Sequence, residues 1–152
     1  MLIGLLALID AALFTGAAFY VSSAEQPARL VLDDQALLAE WKPAYKRGFR
    51  MQAPLAMLGF VLGCLAWWQS GLHAFLIGAL LILANWPFTL LVIMPTNNRL
   101  MATNPAEAGA ETRALILKWE PLHMVRTLLG AGAVPFSSAI SLPRSLRRTA
   151  KT

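Results

Sequence analysis

The chain is short of the residues from which water-soluble sites are usually assembled. It has one cysteine, Cys64, within an apolar run, so neither an intrachain disulfide nor a cysteine metal cluster can form. It has two histidines, His73 and His123. Charged residues make up 14% of the chain against 57% hydrophobic, too little charge to cover an aqueous surface at this length. The alternating ten-residue segments of an outer-membrane barrel are missing. No Lys or Arg precedes Arg29, and Asp10 interrupts the first apolar stretch. That stretch therefore lacks the positive start of a secretory signal and is expected to be retained as a span.

What the chain does have is four long apolar runs, Leu2 to Val21, Phe49 to Trp68, Leu72 to Met94 and Leu122 to Leu142. Crossing a hydrocarbon core of about 30 Å takes roughly 20 residues of helix, and helices satisfy their own backbone polar groups, as lipid demands. The fold expected is all-α, an integral membrane four-helix bundle, with an additional interfacial helix in the third connection from Asn104 to about Trp119. Asn104, Pro105 and Glu107 look like the cap and first turn of that helix. Residues 1–143 form a single four-span membrane domain, and 144–152 a basic C-terminal tail.

The net charge of +5 does not point to nucleic acid, because Arg144, Arg147, Arg148 and Lys151 are collected in the tail, where anionic membrane lipid is the simpler partner. The basic residues of the two long connections, from Arg29 to Arg50 and from Arg99 to Lys118, favour a cytoplasmic orientation for that end. The location expected is a bacterial inner membrane. Gly59 and Gly63 form a small-xxx-small pair in the second run, which leaves a homo-oligomer open.

Alternating four spans brings both long connections to one end. Glu25, Arg29, Trp41, Arg50, Asn97, Asn98, Arg99, Trp119, Glu120, His123 and Arg126 should therefore approach one polar vestibule, with Glu25, Arg29, Trp41, Arg50, Asn98, Trp119, His123 and Arg126 as the site candidates. Trp41 and Trp119 read equally as interfacial anchors, and Glu25 with Arg29 as a local pair around a corner at Pro27. His123 and Arg126, three apart on a helix, share a face. Arg126 lies about a turn inside the fourth run, where an ionisable group is a functional candidate that needs an anionic partner, such as Glu25, Glu120 or a ligand. His123 can act as a general base beside a cation that stabilises the anion formed. His73 falls at the opposite end, so no metal is assigned. Asp10, near the middle of the first run, should be protonated, paired or facing a cavity, and lies outside the site. Asn85, beside Pro87, needs a partner.

The segments Glu25-Gln26-Pro27-Ala28-Arg29, Asn85-Trp86-Pro87-Phe88, Pro95-Thr96-Asn97-Asn98-Arg99 and Trp119-Glu120-Pro121-Leu122-His123-Met124-Val125-Arg126 carry a resemblance over almost the whole chain. They resemble the anthrone oxygenase-like family of small integral membrane proteins, most of which are domains of unknown function. The resemblance implies a flat phenolic substrate and oxygen, with no flavin, haem or metal cofactor. His123 would then be the base, Arg126 and Arg50 would bind the phenolate, and Asn98 would orient a carbonyl. The competing reading is a non-catalytic membrane binding or scaffold protein that recruits a lipid or membrane partner.

Overall fold

Among the described residues each apolar run forms part of a longer helix. The computed structural model describes residues 2–138 and is all-α, with no strand among the described residues. Four rods account for nearly all of it: α1, Leu2–Leu30; α2, Asp34–Ser70; α3, His73–Ala102; and α4, Ala110–Ser137. By length and composition α1, α2 and α3 are able to cross a membrane. The first half of α4 carries Arg113, Lys118 and Glu120, which sets it apart from the other three. The end of the fourth run and the tail at 144–152 lie outside the described residues.

Two connections differ from expectation, because helix propagation continues where a break was expected. Pro27 makes no corner. The chain widens into a π-helical turn at Val21–Glu25 and stays helical to Leu30. A second such turn, Thr89–Ile93, stands in the same relation to Pro95. A proline clashes with the carbonyl four residues back, and a widened turn ahead of it relieves that clash. Most of the first long connection is helical as well. Asp33 caps the next helix by accepting from the amides of Gln35 and Ala36 at 3.1 and 2.9 Å, and α2 then runs unbroken through Pro43 and Pro54 for 37 residues, about 55 Å. Finally, Asn104 caps only a short 3-10 turn, Pro105–Glu107. The helix in the third connection begins at Ala110 and passes through Pro121, so the expected interfacial helix and the fourth run are one rod.

Small residues set the packing. The four most extensive helix contacts, α1 with α2, α2 with α3, α3 with α4 and α4 with α1, each carry a glycine. Gly59 of α2 faces Asp10 of α1, Gly63 of α2 faces Ala79 of α3, Gly78 of α3 faces Ser137 of α4, and Gly130 of α4 faces Phe14 of α1. A Cβ on Gly63 would lie 2.8 Å from that of Ala79, and one on Gly130 would lie 2.8 Å from Cδ1 of Phe14. These backbones approach as close as atoms permit, the contact that drives helix association where lipid offers no hydrophobic gain. The Gly59 and Gly63 pair is thus occupied within the chain.

The core has two storeys. In one, Ala11, Phe14, Ala18, Ala56, Ile82 and Ala133 pack the apolar halves of the rods. In the other, Leu37, Leu38, Trp41, Ile93, Leu100, Ile116 and Trp119 join the first half of α2 to the ends of α3 and α4. Trp41 is completely buried, so it is a core residue rather than an exposed interfacial anchor.

Candidate functional site

The polar residues collect where the two storeys meet. A recess opens there between α1, α2 and α4, lined by Glu25, Arg29, Trp41, Tyr45, Phe49, Gln52, Trp119, His123 and Arg126, among others. Its wall is an aromatic run. Trp41 stacks on Tyr45 with centroids 5.0 Å apart, Trp119 meets Trp41 edge-on at 6.0 Å, and the His123 ring stacks on Trp119 at 4.6 Å. The indole N–H groups of Trp41 and Trp119 are buried without a hydrogen-bond partner among the described residues.

His123 is positioned from both faces. Trp119, four residues earlier on α4, holds the ring plane. Ser22, in the widened turn of α1, places its Oγ 3.0 Å from Nδ1 and 3.4 Å from Oγ1 of Thr127. When Nδ1–H donates to Ser22 and Ser22 donates to Thr127, the lone pair of the ring lies on Nε2, the arrangement a base requires.

Arg126 finds a neutral partner. Its Nη2 donates to Oε1 of Gln52 at 2.8 Å, its guanidinium lies 5.8 Å over the Phe14 ring, and its Nε has no partner. Among the described residues it makes no ion pair, so the expected pairing with Glu25 or Glu120 is not formed. Glu25 is taken by Arg29, which also meets Glu40 at 2.9 Å. Arg29 is itself buried, so the two carboxylates neutralise a cation that has been removed from solvent.

Six of the expected residues, Glu25, Arg29, Trp41, Trp119, His123 and Arg126, converge on this recess. Arg50 and Asn98 do not: both are exposed and neither lines it. A helix turns about 100° per residue, so their neighbours differ in direction: Phe49 lines the recess and Asn97 points inward. Asn97 is buried.

A sequence model of the family described as Anthrone oxygenase matches residues 41–135. An anthrone oxygenase of Claviceps purpurea is 31% identical over 151 residues, covering 89% of this chain and 86% of the relative. The chain belongs to the anthrone oxygenase family. A second relative, anthrone oxygenase tpcL of Aspergillus fumigatus, is 46% identical over 56 residues, 35% of each chain. A third, anthrone oxygenase ptaC of Pestalotiopsis fici, is 29% identical over 108 residues, 60% of this chain and 75% of its own. No solved structure matches. These relatives are fungal and give no support to a bacterial inner membrane.

The anthrone oxygenase match takes in Trp41, Gln52, Asn85, Trp119, His123 and Arg126 and leaves Ser22, Glu25 and Arg29 outside it. Three polar members of the site were not legible in advance. Ser22 lies in the polar exit from the first apolar run, and neither Thr127 nor Gln52 is singled out by the sequence. The available signal was modest: Gln52 is an amide just inside an apolar run, and Thr127 lies four residues after His123, one turn along the same helix face.

Proposed function

We propose that this chain is a four-span membrane bundle that oxygenates a flat phenolic substrate of the anthrone class without a cofactor. The observation that carries this reading is the convergence of His123 and Arg126 on one aromatic-walled recess, with Nδ1 of His123 tied to Ser22. An anthrone is a carbon acid. His123 takes the proton from its methylene carbon through Nε2, and the cation of Arg126 stabilises the enolate formed. The enolate passes one electron to dioxygen, and the resulting radical and superoxide join as a carbon-bound peroxide that takes up a proton. Loss of water leaves the quinone, so one dioxygen is consumed and one water released for each substrate. The rings of Trp41, Tyr45 and Trp119 supply stacking surface, and the two unpartnered indole N–H groups supply donors for substrate oxygens.

A scaffold would tie its polar end into internal pairs. Arg29, Arg99 and Arg113 are so tied, to Glu25 and Glu40, to Glu111 and to Asp34. Arg126, facing the recess, is not, which favours the ligand-binding reading.

The test is oxygen uptake by the purified protein in detergent with hydroxylated anthrones. Uptake above background that is lost in both His123→Ala and Arg126→Ala supports the assignment. Full activity in His123→Ala removes the base, and no uptake by folded wild-type protein across the panel removes the oxygenase.

A further inference from the structure

We propose that a second recess, between α2 and α3, is a ligand subsite that binds the hydroxyl-bearing edge of a planar phenolic ketone through Asn85 and Arg126. The proposal rests on the phenolic-substrate reading above. This open recess has apolar walls from Phe49, Ala53, Trp86 and Leu90. Phe49 and Leu90 are exposed, so the mouth lies on the outer face of the rods, the side that a bilayer would cover. Gln52 and Arg126 line both this recess and the one holding His123, so their hydrogen bond is the partition between the two.

Two buried atoms here lack partners of opposite kind. Asn85 is 2% exposed; its Nδ2 donates to the Ile82 carbonyl at 3.1 Å, and its Oδ1 accepts from nothing among the described residues. Pro87, two residues on, brings no amide hydrogen to the helix, and the Asn85 side chain bonds locally, which leaves the oxygen as its free end. Nε of Arg126 is likewise buried and unpartnered. A buried donor or acceptor left unmade is costly, and a ligand that satisfies both recovers that cost. Such a ligand needs one hydroxyl to donate to Asn85 and one carbonyl or phenolate oxygen to accept from Arg126, on a flat apolar body that fits against Trp86 and Phe49. A phenol next to a ring ketone presents both groups on one edge. A phosphodiester group by itself offers acceptors only and leaves Asn85 unsatisfied.

The probe is 1,8-dihydroxyanthraquinone, which is already at the quinone level and so reports binding without turnover, with unsubstituted anthraquinone as reference. Binding to detergent-solubilised protein is read from tryptophan quenching, with protein-free micelles as control. Wild type is expected to prefer the dihydroxy compound. Asn85→Leu should weaken that compound about tenfold and the reference far less, while Asn85→Asp, which keeps an acceptor, retains the preference. Ala53→Phe, which fills the recess, should weaken the dihydroxy compound independently of Asn85. Equal effects of Asn85→Leu on both ligands, an unchanged affinity in Ala53→Phe, or a wild type without preference would overturn the subsite. Wild type that shows the preference yet takes up no oxygen with any anthrone removes the oxygenase reading and leaves the subsite standing.

Discussion

Arg126 and Gln52 are 74 positions apart in the chain and meet at 2.8 Å, joining α4 to α2 across the floor of the site. The bond gives a guanidinium a neutral acceptor, so its positive charge is oriented without being cancelled. An ion pair at that point would hold Arg126 equally well but would leave less field for an anionic ligand.

The coupling of that pair is measurable. Gln52→Leu, Arg126→Met and the double variant, unfolded in mixed micelles, should give a coupling energy of about 0.5–2 kcal/mol, the range for polar contacts between membrane helices. Additive effects would mean that the bond contributes no stability.

Ser22 bonds to His123 and Thr127 and does not line the recess, so under the proposed function its variants should divide differently from those of His123. With an active substrate, His123→Ala should lower turnover by about 10²–10⁴-fold, the usual worth of a general base. Ser22→Ala should lower it less and leave KM nearly unchanged, and Ser22→Thr, which keeps the hydroxyl, should recover most of the loss. Steady-state oxygen uptake separates these outcomes.

Arg29 is buried between Glu25 and Glu40, and either carboxylate alone still neutralises it. Glu25→Ala and Glu40→Ala should therefore each be mild, more so for Glu40, which is the more exposed of the two. The double variant strands a buried cation and should cost about 3–5 kcal/mol. Thermal unfolding of the four proteins would show the excess over the sum of the singles.

Asp10 is buried in α1 with neither carboxyl oxygen bonded, and a Cβ on Gly59 would collide with it. Asp10→Ala removes an unpartnered polar group and should be neutral or stabilising. Gly59→Ala should destabilise by about 1–3 kcal/mol, and Asp10→Ala should relieve part of that loss in the double variant. Gly16→Ala is the control: nothing lies within 4 Å of its new methyl, so the helix should gain about 0.5–1 kcal/mol. Melting temperatures in one detergent decide each point.

Particular residues show how far the sequence could be read. His123 and Arg126 were legible because three-residue spacing fixes a shared helix face whatever surrounds it. The six residues that converge were legible because the direction of each span fixes which end of the molecule a residue reaches. Arg50 and Asn98 reach that end but point outward, since end and azimuth are separate quantities and only the first follows from counting spans. Trp41 looked like an interfacial anchor because aromatic residues beside lysines usually are; it is buried because α2 continues past its apolar run and packs against α3 and α4.

The sequence by itself determined the helices, the polar end and the family, since apolar length, backbone self-satisfaction and residue spacing are local properties. Tertiary structure decided the partners: Gln52 for Arg126, Ser22 for His123, Glu40 alongside Glu25 for Arg29. Those pairings depend on how each rod is rotated about its axis and how far it slides along its neighbour. The glycine contacts and the widened turn before Pro27 set both, and neither is a property of any one segment alone.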